Sequence, residues 1–117
     1  MVSKGRQSKD QRIEMMEKTV AIIGDKWSLV IIGQIAFGKS PIRFNELMRE
    51  LKPISSRTLS MKLAKLCDQT ILEKTVEGTS PPHTQYALTV KGLDLVGASR
   101  AMIEWSEKWL STTSWRF

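Results

Sequence analysis

The sequence predicts a mainly helical α+β fold of one domain, and three observations support this. Its 117 residues suit one hydrophobic core, and its content of 41% hydrophobic and 26% charged residues is that of a folded protein. Apolar residues recur at spacings of three and four along most of the chain. Between positions 71 and 89, two strand-like runs flank a turn rich in glycine and proline, which indicates one antiparallel hairpin.

Apolar spacing and end signals predict the first two helices. Apolar residues at 13, 16, 20 and 23 form one face of a helix that runs from Asp10 to near Gly24. Asp25 is placed to cap a second helix, which is apolar nearly all round and ends at Gly38, so we expect it to be central. We expect a basic flexible tail over residues 1–12, the folded domain over 13–110 and a second tail over 111–117.

The next two helices form a helix-turn-helix in this prediction. A short helix carrying Phe44 and Leu47 must end before Pro53, because the residue that precedes proline disfavours the α conformation. Ser55 is a good N-cap for a fourth helix over 55–68. Two short helices joined by a tight turn are the ingredients of a helix-turn-helix.

The hairpin follows this motif directly. Its strands are predicted over 71–77 and 84–89, so the tip at 77–84 would be a wing, and the fold would be a winged helix-turn-helix. A long final helix is expected from Thr89 to about Leu110.

The fourth helix has an inner and an outer face. Its leucines at 59, 63 and 66 share one side and should be buried. The other side carries six residues without a carboxylate: Arg57, Thr58, Ser60, Met61, Ala64 and Lys65. Arginine can bind guanine, hydroxyls can bind bases or phosphates, and small apolar groups can contact thymine methyls in a DNA major groove. The alternative is an ordinary solvated face.

The charge favours a polyanionic partner. The net charge is +6, and residues 39–91 hold nine basic against five acidic residues. Nucleic acid is the first candidate partner and an anionic membrane surface is the second.

Several classes of protein are disfavoured by composition. One cysteine cannot form an internal disulfide, the start lacks an apolar signal region, and the longest nearly uncharged run, 27–38, is too short to span a membrane. We therefore expect a cytoplasmic protein without a membrane partner. Cys67 and His83 are distant in sequence, and no glycine-rich phosphate loop is present, so no enzyme, cofactor or metal site is predicted. We expect Cys67 to be structural, with a reactive thiol as the alternative.

The final helix is more apolar than one core requires. Its apolar side chains cover roughly 200° of the helix, whereas packing on one domain needs a stripe of ~100°. The surplus predicts a second subunit, and a wide buried face within a monomer is the alternative.

Four motifs in order resemble the HxlR-type transcriptional regulators, a group of winged-helix proteins related to the MarR type. They are Gly24-Asp25-Lys26-Trp27, Arg43-Phe44-Asn45-Glu46-Leu47, Ile54-Ser55, and Tyr86-Ala87-Leu88-Thr89 with Gly92. The resemblance covers about residues 13–110. It implies a homodimer that binds DNA, with the fourth helix in the major groove and the hairpin near the minor groove or backbone.

Two positions depart from the family pattern. Glu14 stands where many members carry an oxidant-sensing cysteine, so sensing by that route is not expected. His83 replaces the usual arginine of the wing, and a largely neutral imidazole is a poorer phosphate ligand than guanidinium.

Together these arguments assign expected roles to the residues. The base-facing set is Arg57, Thr58, Ser60, Met61 and Ala64; the phosphate set is Arg43, Ser55, Ser56 and Lys65; the wing set is Lys74, His83 and Lys91; the dimer set is Met16, Val20, Met102, Trp105 and Trp109. The expected partners are double-stranded DNA with a roughly palindromic operator and a second copy of the chain, while an unknown small-molecule effector stays open. The alternatives are a protein-interaction module or a non-specific DNA-binding protein.

Overall fold

Six helices and three strands make up residues 8–110, the part of the chain that the computed structural model describes. In chain order they are α1 Lys9–Ile23, α2 Ser28–Phe37, β1 Ile42–Arg43, α3 Phe44–Glu50, α4 Ser56–Asp68, β2 Leu72–Glu77, β3 His83–Leu88, α5 Val90–Leu93 and α6 Val96–Trp109. The strands form one antiparallel sheet in the order β1-β3-β2. The expected mainly helical α+β fold with a hairpin wing is confirmed.

The hydrophobic core lies between α2, the α3–α4 pair and the sheet. Its buried members are Ile31, Ile32, Ile35, Ile42, Leu47, Leu51, Ile54, Leu59, Leu63, Leu66, Ile71, Leu72 and Tyr86. The predicted central position of α2 is confirmed by its three buried isoleucines. One side of α2 remains uncovered, however, because Val30 and Phe37 are both 46% exposed.

The helix-turn-helix follows its sequence signals closely. Helix α3 ends at Glu50, ahead of Pro53. The hydroxyl of Ser55 accepts a hydrogen bond from the backbone N–H of Thr58 at 3.1 Å, so the predicted cap begins α4. The three leucines of α4 are fully buried and bind the helix to the core.

The sheet contains a strand that the sequence did not predict. Strands β2 and β3 pair from Leu72 opposite Leu88 to Glu77 opposite His83, as the hairpin prediction requires. The two-residue strand β1 pairs with β3 through Ile42 opposite Tyr86 and its neighbour. This pairing joins the base of the wing to the segment that leads directly into α3.

Two helix boundaries differ from those predicted. Helix α1 begins at Lys9, inside the expected tail 1–12, because Ser8 and Gln11 form a reciprocal cap. The expected single helix from Thr89 to Leu110 is two helices, since the chain tightens where the N–H of Leu95 donates to the carbonyl of Gly92 at 3.0 Å. The side chain of Leu95 packs against the core at this corner. Residues 1–7 and the expected tail 111–117 lie outside the described residues.

The chain is extended. Its radius of gyration is 16.6 Å, whereas a compact domain of this size would measure about 13 Å. Within residues 8–110 no single helix is long and apolar enough to cross a membrane; only α1 and α2 together have that length and composition, and they are bent by 73° at their junction. None of the α1 residues is buried in the protomer, so this helix projects from the core.

Candidate nucleic-acid interface

The outer face of α4 is open to solvent. Arg57, Ser60, Met61 and Ala64 are exposed, with Met61 at 61%, and the first carboxylate on the helix is Asp68 at its C-terminal end. From the N-terminus of α4 as far as Asp68, this face therefore carries only uncharged or positive side chains. This arrangement suits a polyanion that approaches the N-terminal half of the helix.

The cap of α4 uses two of the predicted DNA-facing hydroxyls. Ser55 donates its hydroxyl hydrogen to the Oγ1 atom of Thr58 at 3.0 Å, and Thr58 is half-buried. Ser56 is exposed beside them. Thr58 therefore lies at the edge of the outer face and has less freedom to bind a base than Ser60.

Lys65, predicted to contact phosphate, makes contacts within its own chain, and its phosphate role stays a prediction. Its ammonium donates a hydrogen bond to the carbonyl oxygen of Ala21 at 2.8 Å, near the end of α1. The same ammonium lies 3.6 Å from the Oδ2 atom of Asp25. This lysine joins α4 to the rest of its own protomer.

A polar groove separates α3 from the wing. It holds about 780 Å³ and is lined by Lys39, Arg43, Phe44, Asn45, Glu46, Arg49, Pro81, Pro82, His83, Thr84 and Gln85. Three cations and the histidine line it, although Lys39 lies 3.5 Å from the carboxylate of Glu46 and is partly neutralised. Lys39 and Arg49 were not predicted at this site, and their only signal in the sequence is a positive charge close to the helix-turn-helix.

The groove continues towards α4. A shallower depression shares Phe44, Asn45 and Arg49 with the groove and extends to Ser56 at the start of α4. The structure therefore brings Arg43, Ser56 and the wing together along one surface, while the outer face of α4 borders it.

The three predicted wing residues do not share one location. His83 begins β3 beside the tip, opposite Glu77, and is half-buried. Lys74 lies nearer the base of the wing, opposite Tyr86. Lys91 is on α5 and donates to the carbonyl of Gln69, the C-cap of α4, at 2.7 Å. Lys91 therefore lies outside the hairpin, beside the C-terminal end of α4, and its role on the wing side stays a prediction.

Cys67 is partly buried on α4. Burial raises the pKa of its thiol, the positive charge of Lys74 opposes this rise, and Asp68 adds to it. A raised pKa disfavours the thiolate that reacts or binds metal. Among residues 8–110 no group of three or more His, Cys, Asp or Glu side chains is close enough to hold a metal ion.

The predicted dimer residues all lie on uncovered surface. Their exposed fractions are 62% for Met16, 55% for Val20, 55% for Met102, 56% for Trp105 and 61% for Trp109. They belong to α1 and α6. No residue of α1 is buried, and Ser99 is the one buried residue of α6. Large apolar side chains exposed in such number mark an interaction surface.

Comparison with known proteins agrees with this geometry. The HxlR-like helix-turn-helix family model matches residues 22–114. An uncharacterized HTH-type transcriptional regulator of Halalkalibacterium halodurans is 36% identical over 90 residues, which cover 77% of this chain and 79% of that protein.

Two solved structures have the same fold. The redox regulator HypR in its reduced form is similar with a TM-score of 0.73 and 30% identity, covering 84% of this chain and 95% of that one. A transcriptional regulator of the MarR family from Porphyromonas gingivalis is similar with a TM-score of 0.75 and 26% identity, covering 93% and 98% of the two chains.

Proposed function

Because the chain belongs to the HxlR-like helix-turn-helix family of transcriptional regulators, we propose that it binds a specific, roughly palindromic DNA operator as a homodimer. The helix 55–68 enters the major groove, and the wing 77–84 lies near the minor groove or the backbone. Residues of the outer face of α4, above all Arg57, Ser60 and Met61, contact the bases. The protein acts on DNA in the cytoplasm, and its function requires no catalytic step.

The observation that carries this proposal is the outer face of α4. It is exposed, it lacks a carboxylate before Asp68, and the helix is fixed to the core by three buried leucines. A rigid helix with one face free of negative charge can enter a major groove without repulsion from the phosphates. Thr58 and Ala64 lie beside these three residues and complete the proposed base-facing set.

Phosphate contacts are expected around this face. Arg43, Ser55 and Ser56 lie at the starts of α3 and α4, and Arg49 lies between them. His83 is the proposed contact at the wing, with Lys74 farther from the tip. Contacts of this kind set the register of a protein on DNA and make its affinity depend on salt.

The homodimer is supported by the uncovered apolar surface of α1 and α6. A two-fold pair of protomers would cover Met16, Val20, Met102, Trp105 and Trp109 and would present two α4 helices to one side of a duplex. Their separation would be about 34 Å, one DNA turn, or a multiple of it. Sedimentation of the wild type and of Trp105→Glu tests this, because the charged variant should shift the population towards monomers.

Selection of bound duplexes from a random pool, followed by titration of the selected site, tests the DNA proposal. We expect a palindromic site and an affinity that falls steeply with salt. Arg57→Ala should lose about 1–3 kcal/mol of binding free energy and relax the preference at one base pair. Arg12→Ala, which removes an exposed arginine of α1, is the matched control and should keep both affinity and preference.

Two outcomes would refute the proposal. A protein that binds all sequences equally is a non-specific DNA-binding protein, and one that binds no duplex at low salt is a candidate protein-interaction module. An Arg57→Ala variant that matches the wild type on every sequence would show that the reading face is assigned wrongly.

A further inference from the structure

The turn between α1 and α2 is organised by the carboxylate of Asp25. Its Oδ1 atom accepts hydrogen bonds from the backbone N–H groups of Trp27 at 2.9 Å and Ser28 at 2.7 Å. Its Oδ2 atom accepts one from the hydroxyl of Ser28 at 2.7 Å. Ser28 is fully buried, so these bonds fix both the start of α2 and the position of the carboxylate.

Two lysines of α4 reach the same carboxylate. The ammonium of Lys62 lies 3.3 Å and that of Lys65 lies 3.6 Å from Asp25 Oδ2. Lys65 also donates to the carbonyl of Ala21 at 2.8 Å, one of the last carbonyls of α1. A cation at a helix C-terminus satisfies a carbonyl without an intrahelical partner and interacts favourably with the helix dipole. Asp25 and Lys65 thus join the end of α1, the start of α2 and the side of α4.

The contact is more than a mobile surface pair. The side chains are 23% exposed for Asp25, 25% for Lys62 and 37% for Lys65, so solvent screens them only in part. Burial alone would raise the pKa of the Asp25 carboxyl, but the hydrogen bonds from Ser28, Trp27 and Lys62 outweigh it and hold that pKa well below its usual range. The carboxylate therefore stays charged throughout the physiological pH range.

Helix α1 needs such a contact to keep a fixed direction. None of its residues is buried, and Ile22 and Ile23 at its C-terminal end are the members that pack against the core. A helix held only at one end can change its angle to the domain. The proposed dimer surface includes α1, so any change in that angle would move one DNA-reading helix relative to the other.

We propose that Asp25 and Lys65 are positioning residues that fix the angle between α1 and α4 and thereby set the half-site spacing that the dimer accepts. The spacing part rests on the proposed function, whereas the angle between the helices does not. Lys62 supports the contact through the same carboxylate oxygen. None of the three side chains contacts bases in this assignment, so they act on spacing and leave the base preference within a half-site unchanged.

The angle is measured without DNA. Spin labels at Glu14→Cys on α1 and Ser60→Cys on α4, in a Cys67→Ser background, report the distance between the two helices by double electron–electron resonance. Dilution with unlabelled protein confines the measurement to one protomer. We expect a narrow distance distribution for the protein with Lys65 and a broader one for Lys65→Met. The distribution should be narrow again in Lys65→Arg, whose guanidinium can reach both Asp25 Oδ2 and the carbonyl oxygen of Ala21. Equal widths in all three proteins would overturn the proposal.

The spacing is measured on selected half-sites separated by spacers that differ by one base pair. For Asp25→Asn and Lys65→Met we expect the affinity at the best spacing to fall about threefold to tenfold while the neighbouring spacings change less. The base preference of each half-site should stay that of the wild type. Lys18→Met, at an exposed lysine of α1 paired with Glu14, is the control and should keep the wild-type profile.

The outcomes separate the two proposals. A spacing profile that stays sharp in Asp25→Asn overturns the positioning role, as does an equal loss of affinity at every spacing, which would indicate general damage to the fold. A wild-type protein that binds no duplex refutes the proposed function, and the distance measurement then decides the role of Asp25 and Lys65 alone. Circular dichroism of each variant verifies that it is folded.

Discussion

Gly92 is the position where the structure makes the sharpest stability prediction. It is buried on α5, and its N–H donates to the hydroxyl of Thr89 at 3.1 Å. A Cβ atom at Gly92 would overlap the carbonyl oxygen of Ile71 and lie 2.9 Å from Leu88 Cδ2. That carbonyl already accepts from the N–H of Thr89 at 3.1 Å, and the hydroxyl of Thr89 donates to the neighbouring carbonyl of Thr70 at 2.5 Å, so this backbone has little room to move away.

The expected loss for Gly92→Ala follows from two opposing effects. Overpacking against fixed backbone costs up to about 3 kcal/mol, and the better helix propensity of alanine returns about 1 kcal/mol. The net loss of about 2 kcal/mol corresponds to a melting temperature lower by roughly 8 °C for a domain of this size. Thermal and urea unfolding at equal protomer concentration measure it, since oligomerisation makes stability depend on concentration.

Gly97→Ala is the matched control. It lies on α6, where an added Cβ atom meets nothing within 4 Å. We expect its stability to equal that of the wild type or to exceed it by up to about 1 kcal/mol. If Gly92→Ala melts with or above Gly97→Ala, α5 does not press against the start of the hairpin and the packing described for this corner is wrong.

Three further predictions concern single side chains. The pKa of Asp25 is lower in the folded state, so its contribution to the free energy of unfolding is present above pH ~4 and is lost as the pH falls below that value. Urea titrations should therefore show that the stability of Asp25→Asn depends less on pH in the acid range than that of the wild type. Cys67 should be alkylated at neutral pH about tenfold or more slowly in the folded than in the urea-unfolded protein, and equal rates would contradict its structural role. His83→Arg should tighten operator binding and steepen the salt slope by ~0.9, the value for one added phosphate contact; an unchanged slope would place the wing away from the backbone.

Local signals predicted the helix-turn-helix well. Ser55 caps α4 and Pro53 limits α3 through contacts within a few residues, so their effects can be read from short segments. The leucine spacing of α4 specified its buried face for the same reason. The residues of α4 that do not belong to the buried face form its outer face. The exposed positions of Arg57 and Met61 could therefore be predicted from the same spacing.

The features that sequence reasoning missed depend on distant partners. Strand β1 has two residues and no periodicity of its own. It forms because Gln85 and Tyr86 of β3 lie opposite it and pair with it. The corner at Leu95 forms because that side chain packs on the core, with no proline to announce a break. Lys65 was assigned to phosphate by its angle on the helix, whereas Ala21 and Asp25, 44 and 40 positions earlier, determine its contact.

The unequal pairing along the sheet has a mechanical consequence for the wing. Strand β3 has partners on both sides only at Gln85 and Tyr86, whereas beyond them it pairs with β2 alone up to His83 and Glu77. Two-stranded ribbons twist more readily than wider sheets. The wing is therefore stiffer near Gln85 and Tyr86 than at its tip, and those β2 amides that donate to β3 should exchange more slowly opposite these two residues than near Glu77. A tip that bends independently of its base can follow minor grooves of different width while α4 keeps its register.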